Sequence, residues 1–232
     1  MDRPRALFAA ALMIFFFGAF AGADEDVPSS PPSFTADERA KLDAGDPVMR
    51  EERFNDAKGQ RAGKAIAYIR VNAPPTKIWD VILDFDRYAE FYPNLGESVL
   101  TSHTGHEYHV KFLLNVLGLL KLRYHVIHTY TPERGAMTWK MDQTKKNDFQ
   151  ETTGFWKIWP DEGGRSLVCY SVYIEAGRGV PKFAEDFADK LGLTTWGLKK
   201  VVVSLKKRVE LGAAFKGDGD HPEGANIAEP TP

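Results

Sequence analysis

The residues best equipped for chemistry are six histidines, a single cysteine and two aspartates that stand two positions apart. His103, His106 and His109 crowd around Gly105, with Glu107 among them. Folded about Thr104-Gly105, His103 and His106 would face each other across a hairpin. Two imidazoles fall short of the three or four ligands that a zinc site needs. The spacing reads as exposed hairpin histidines, and no metal is expected. His125 and His128 are three apart, which on a strand places them on opposite faces. Cys169 has no local base to generate a thiolate, and one thiol cannot close an internal disulfide. It is expected as a small buried strand residue. Asp84 is placed to cap a short helix that contains Asp86. There is no Gly-x-Ser-x-Gly elbow, and no glycine-rich phosphate loop follows a strand. These residues nominate no catalytic group, no metal and no cofactor.

Composition narrows the field further. The 232-residue chain has a formal charge of -2, which becomes -3 without the first 23 residues and their Asp2, Arg3 and Arg5. A mildly acidic chain has no electrostatic reason to bind nucleic acid. With 43% hydrophobic residues it can build a core without disulfides, and its length suits one domain, expected to act as a monomer.

The N-terminus reads as an export signal. Arg3 and Arg5 precede the apolar run 6–20, and Ala21-Gly22-Ala23 is a small-x-small cleavage site. Cleavage after Ala23 would release a periplasmic or secreted protein. The alternative is an uncleaved anchor, because the uncharged stretch through Ala23 approaches the length of a membrane span. Residues 24–34 are acidic, then rich in Ser and Pro, and read as linker. Residues 35–45 form a short helix, with Thr35 at its N-cap, Glu38 three residues on and Gly45 as its stop. It is expected as an arm docked on the domain of residues 46–212. Residues 213–232 read as a disordered tail.

Between these ends the period is two. Strands are predicted over 48–54, 61–72, 98–103, 107–116, 121–131, 136–143, 149–159 and 165–175, with short helices over 76–83 and 86–91. The later strands are joined by short turns and should pair as antiparallel hairpins. After Pro181 the period becomes helical. Phe183, Phe187, Leu191, Leu198, Val202, Leu205 and Val209 share one face of a helix about 30 residues long. Lys199, Lys200, Lys206, Lys207 and Arg208 mostly face away from it. One sheet with one apolar face, and one long helix to cover it, make an α+β domain.

Two segments carry a family resemblance. APPTKIWDVILDFDRYAEFYPNL at 73–95 has Ala73-Pro74, Ile78-Trp79, Asp84-Phe85-Asp86, Tyr88 and Phe91-Tyr92-Pro93 in sequence. GFWKIWP at 154–160 is followed by a Gly turn, a strand centred on Tyr170, and Pro181 before the last helix. Together they resemble the START-like, SRPBCC superfamily, most of all its polyketide cyclase/dehydrase and coenzyme Q-binding-like group. The resemblance spans 45–211. It implies the helix-grip fold: a curved antiparallel sheet wrapped around a long C-terminal helix, with two short helices after the first strands.

Alternation alone describes an ordinary half-buried sheet. The resemblance implies that the space between sheet and helix is a cavity, lined by Phe112, Leu114, Tyr124, Val126, Trp139, Met141, Trp156, Ile158, Tyr170, Val172, Phe187, Leu191 and Leu198. Its occupant would be an apolar small molecule, lipid or quinone-like, bound and transported. A cyclase or dehydratase acting on a polyketide-like or aromatic ligand is the alternative, with Tyr124, His128 or Tyr170 as acid/base groups. A third possibility is an accessory protein with a filled, vestigial cavity.

One stretch breaks the alternation. LLNVLGLLKL at 113–122 is apolar on both faces around Gly118. It is either a covered hairpin or an exposed tip in which Leu117, Leu119 and Leu120, flanked by Lys111, Lys121 and Arg123, make a transient membrane contact.

Overall fold

The computed structural model describes residues 27–55, 61–116, 120–148, 150–175 and 196–215. The export signal, Leu117, Leu119, Phe187, Leu191 and the tail after Phe215 lie outside the described residues, and of Leu120 only the backbone is described.

In chain order the elements are α1 (Ala36–Asp43), β1 (Val48–Asn55), β2 (Arg61–Val71), α2 (Pro75–Ile82), a 3-10 turn (Phe85–Glu90), β3 (Leu95–Thr104), β4 (Glu107–Val116), β5 (Leu120–Thr131), β6 (Ala136–Met141), β7 (Glu151–Pro160), β8 (Ser166–Glu175) and α3 (Trp196–Leu211). The eight strands form one antiparallel sheet in the order β1-β2-β8-β7-β6-β5-β4-β3. The meander from β3 to β8 follows from its short turns. At Gly105 the backbone is left-handed (φ 57°), which suits a residue without a Cβ. The β1–β2 hairpin joins the other side of β8, with Ala67 opposite Tyr170.

The sheet has two ends. At the near end stand α2, the start of β6 and the C-terminus of α3, where the Lys206 ammonium donates to the Arg70 carbonyl (2.9 Å) and Glu210 accepts the Asn72 N–H (2.8 Å). At the far end lie the end of β4, the start of β5 and the end of β8. Leu198, Val202, Leu205 and Val209 of α3 are buried at helical spacing on the concave face. There they join Ile69, Val71, Val110, Met137, Ile158 and Val168. In α2, Pro75 occupies the first turn, where its missing N–H costs nothing, and Ile78, Trp79 and Ile82 point inward.

The 73–95 motif is structural. The Tyr88 hydroxyl donates to the Ile82 carbonyl, Ser98 Oγ donates to the Phe85 carbonyl (2.6 Å), and Asp86 accepts the Leu100 N–H (2.8 Å). Asp84 does not cap the turn as its position suggests; its backbone is outside the usual capping geometry, and its carboxylate lies 3.6 Å from Arg87 instead.

The sheet has two apolar faces to cover, where sequence alternation suggested one. Ile66, Tyr68, Phe155, Trp159, Leu167 and Cys169 form a second buried cluster on the convex side. The N-terminal arm covers it. Val27 and Leu42 are buried in this cluster and Phe34 packs on it, so the segment that composition reads as linker is laid on the sheet. Thr35 and Glu38 close a reciprocal capping box at the start of α1. Arg50 clamps the arm: its guanidinium donates to the Ser33 carbonyl (2.9 Å), pairs with Glu38 (3.2 Å), and lies over the rings of Phe34 and Tyr68. Trp159 Nε1 donates to the Ser29 carbonyl (3.2 Å).

Arg208 does not face solvent either. It is buried, pairs with Glu90 (2.7 Å) and donates to the carbonyls of Ala213 (3.0 Å) and Phe215 (2.9 Å). It thereby closes the last turn of α3 and binds it to the 3-10 turn.

A docked arm has a measurable consequence. Leu42→Ala should lower the unfolding free energy by about 2–3 kcal/mol in a denaturant titration, the cost of emptying a buried leucine site. A loss under about 0.5 kcal/mol, typical of surface positions, would mean that the arm is not packed in solution.

Candidate functional site

The concave face changes character from one end to the other. At the near end most of its side chains are sealed, Val71, Ile158 and Val168 among them, while Tyr108 and Tyr130 are half-buried. Towards the far end they keep accessible surface: along β8 exposure climbs from 0% at Val168 to 43% at Ile174. Val110 and Phe112 of β4 are buried whereas Leu114 is half-buried, and on β5 Val126 and His128 are buried whereas Leu122 and Tyr124 are half-buried. Opposite Tyr170 and Val172 stand Ala67 and Ala65, whose methyl groups leave the space above them to their neighbours.

An aromatic floor lies across the middle. Tyr170 packs on Trp156 (ring centroids 4.2 Å) and stacks on Trp139 (5.4 Å, 25° between planes). Trp139 is on β6 and Tyr170 on β8, with β7 between them. The gap is bridged because the residue opposite Trp139 is Gly154: a Cβ there would collide with the Trp139 indole and with the Ser171 carbonyl. The Gly-x-Trp motif of β7 therefore lets one indole lie flat over Gly154 and presents a second, Trp156, beside it.

Polar groups on this face are few and neutral. His128 lies opposite Tyr108 on β4 and Trp139 on β6, with Phe85 4.8 Å and Phe112 6.1 Å away between ring centroids. Its Nδ1 has no hydrogen-bond partner, and burial pushes the imidazole down to about 3. Burial also holds the phenols of Tyr88, Tyr92, Tyr124 and Tyr170 well above their ordinary value, and the nearby Tyr170 raises the other three further. No Asp, Glu, Lys or Arg among the described side chains takes an inward position on β2 or on β4 to β8.

Of the lining residues read from the sequence, Phe112, Val126, Trp139, Trp156, Ile158, Val172 and Leu198 belong to the inner cluster, and Leu114, Tyr124 and Tyr170 pack against it half-buried. Met141 is buried but belongs to neither cluster. Pairing of β6 with β7 stops at Lys140, and the chain then turns onto β5. Residues missed by strand alternation come from the helical segment: Phe85, Tyr88 and Tyr92 roof the same floor, Tyr88 lying parallel to Tyr92 (4.7 Å, 7°). Their aromatic spacing within 85–92 was the available signal.

The remaining candidates disperse. His103 stacks on Tyr108 (4.2 Å), and His109 Nε2 meets Glu107 (2.8 Å). Among the described residues no cluster could hold a metal. Cys169 lies on the convex face, and burial pushes its thiol up to about 12. A separate open groove of about 460 Å³ at the near end, between α2 and the ends of β5 to β7, shares only Ile158 with the predicted lining.

The match to known proteins runs along these same elements. Residues 64–210 fit the family described as polyketide cyclase / dehydrase and lipid transport. The chain belongs to this family. Its START-like helix-grip fold is shared by several crystal structures. TTHA0849 from Thermus thermophilus is 17% identical, with a TM-score of 0.56 over 65% of this chain and 99% of that one. The Zhui aromatase/cyclase from a Streptomyces species is 15% identical, with a TM-score of 0.52 over 73% and 99%. The STAR-related lipid transfer protein from Xanthomonas axonopodis is 15% identical, with a TM-score of 0.53 over 69% and 98%. No curated protein matches the chain in sequence.

The neutral His128 makes stability depend on pH. Its folded value lies far below the ordinary imidazole value of about 6.5, so below that pH the unfolded chain binds the extra proton. The stabilisation is complete above about 6.5 and is lost as pH falls towards 3. Between pH 7 and 5 this residue alone should cost the wild type about 2 kcal/mol. Denaturant titrations of His128→Leu should show that much less acid loss; equal losses in both proteins would mean that the imidazole is not held neutral.

Proposed function

We propose that this protein is an exported carrier that binds a neutral, apolar small molecule between the sheet and the C-terminal helix. The observation that carries this reading is the concave face itself: among the described side chains it keeps accessible surface towards the far end and offers aromatic surface, methyl groups and uncharged hydroxyls. Burying an isolated ion there would cost far more than the face can return, so the enclosed part of the ligand is uncharged. Flat indole and phenol rings suit a ring-bearing lipid or a quinone-like molecule. The family's range of lipid transport and polyketide cyclisation supports a cavity ligand of this kind.

The second reading is a cyclase or dehydratase in the same interior, favoured by the unpartnered Nδ1 of His128, which a ligand oxygen would satisfy. Against it, the imidazole and phenols are held in their neutral forms at pH 7, far from the matched values that proton transfer prefers.

Titrating a quinone or sterol analogue should change tryptophan fluorescence saturably. Replacing Trp139 and Trp156 with Phe should remove most of that change. A flat response from the wild type across a broad panel of neutral lipids and quinones would refute the carrier reading.

The export part of this reading is supported by Arg3, Arg5, the apolar run and Ala21-Gly22-Ala23. The intact mass of the exported product should correspond to a chain that starts at Asp24. A membrane-bound product retaining residues 1–23 would establish an anchor instead.

A further inference from the structure

Beyond β6 the chain does not leave the sheet. Residues 142–148 continue along the stretch of β5 that β6 leaves unpaired. The Asp142 N–H donates to the His125 carbonyl (2.8 Å) and the Asp148 N–H to the Arg123 carbonyl (2.9 Å). The Asn147 side chain accepts the His125 N–H (2.8 Å) and donates to the carbonyls of Asp142 (2.9 Å) and Lys145 (3.2 Å). Asp142, itself buried, accepts the N–H and hydroxyl of Thr144 (3.0 and 2.6 Å). The loop is thus built, and it holds Lys145 and Lys146 exposed beside Lys121, Arg123 and Lys140.

The local carboxylates are turned elsewhere. Asp148 accepts the Arg123 N–H (2.6 Å), and Glu151 accepts Gln143 Nε2 (3.0 Å) and the Thr152 N–H (3.0 Å). Lys111, which sequence placed in this group, pairs with Glu97. Among the described residues Lys121, Arg123, Lys140 and Lys146 therefore stand without carboxylate partners, while Lys145 is attracted by Asp142, at the end where Leu114, Tyr124 and Ile174 keep accessible surface.

We propose that this rim is a docking surface for an anionic lipid bilayer. The proposal rests on the carrier reading, because it places the far end of the ligand site, where Ile174 is exposed, against the source of an apolar ligand. Charge complementarity selects the partner: clustered Lys and Arg near an anionic membrane each add attraction within a Debye length. A prebuilt loop brings its lysines with little ordering cost.

The test uses the exported protein and phosphatidylcholine vesicles with and without phosphatidylglycerol, in a sedimentation assay. Binding should require the anionic lipid and weaken with salt. Lys145→Glu/Lys146→Glu should reduce it about tenfold or more, without changing Tm. Lys77→Glu, an exposed charge reversal at the near end, should leave it unchanged. Equal binding to both vesicle types, or an equal loss from Lys77→Glu, would overturn the proposal. The tryptophan titration in vesicle-free buffer separates the two readings: a saturable response there with no vesicle binding overturns the docking surface alone.

Discussion

An eight-stranded sheet that is apolar on both faces must be covered twice, and the rest of this structure is arranged around that need. On the concave side the cover is α3, whose Leu198, Val202, Leu205 and Val209 meet the near end of the strands. On the convex side it is the N-terminal arm, pinned by Arg50 and by burial of Val27 and Leu42. Neither cover has much stability alone, since short helices in water are marginal and gain most of theirs from packing. Among the described residues the inner side chains that meet α3 are buried, while Leu114, Tyr124 and Ile174 towards the far end keep accessible surface.

Much of this was legible in the sequence because it is local. Alternation and turn residues give the strands of the meander, and the Thr35–Glu38 box gives the start of α1. What was not legible is non-local. That β2 pairs with β8 depends on how far the meander curls. In GFWKIWP, Phe155 and Trp159 face away from Trp156 and Ile158, so β7 is apolar on both sides; read as a motif, that second face went unused. Val27 and Phe34 stand among Ser and Pro, and their burial depends on a face built elsewhere in the chain. Periodicity also sent Arg208 to solvent, because the carbonyls of Ala213 and Phe215 that receive it belong to the turn after the helix.

The candidate site divides in the same way. Inward positions of β4, β5, β7 and β8 follow from a period of two, and they include His128. Its protonation state does not follow from that period. It is set by Phe85 from the 3-10 turn and by Phe112 and Trp139 from neighbouring strands. Likewise Gly154 reads as a family residue until the Trp139 indole is seen lying across it. Side-chain direction is local information, whereas polarity of surroundings is a property of the assembled interior.

The docked arm also gives the molecule a heading. It meets the sheet beside Trp159, at the near end, and the far end lies about 40 Å away by the length of the 12-residue strand β5. Any load on the chain ahead of Val27 therefore enters the fold at the Trp159 end, through the Ser29–Trp159 hydrogen bond, and not at the far end.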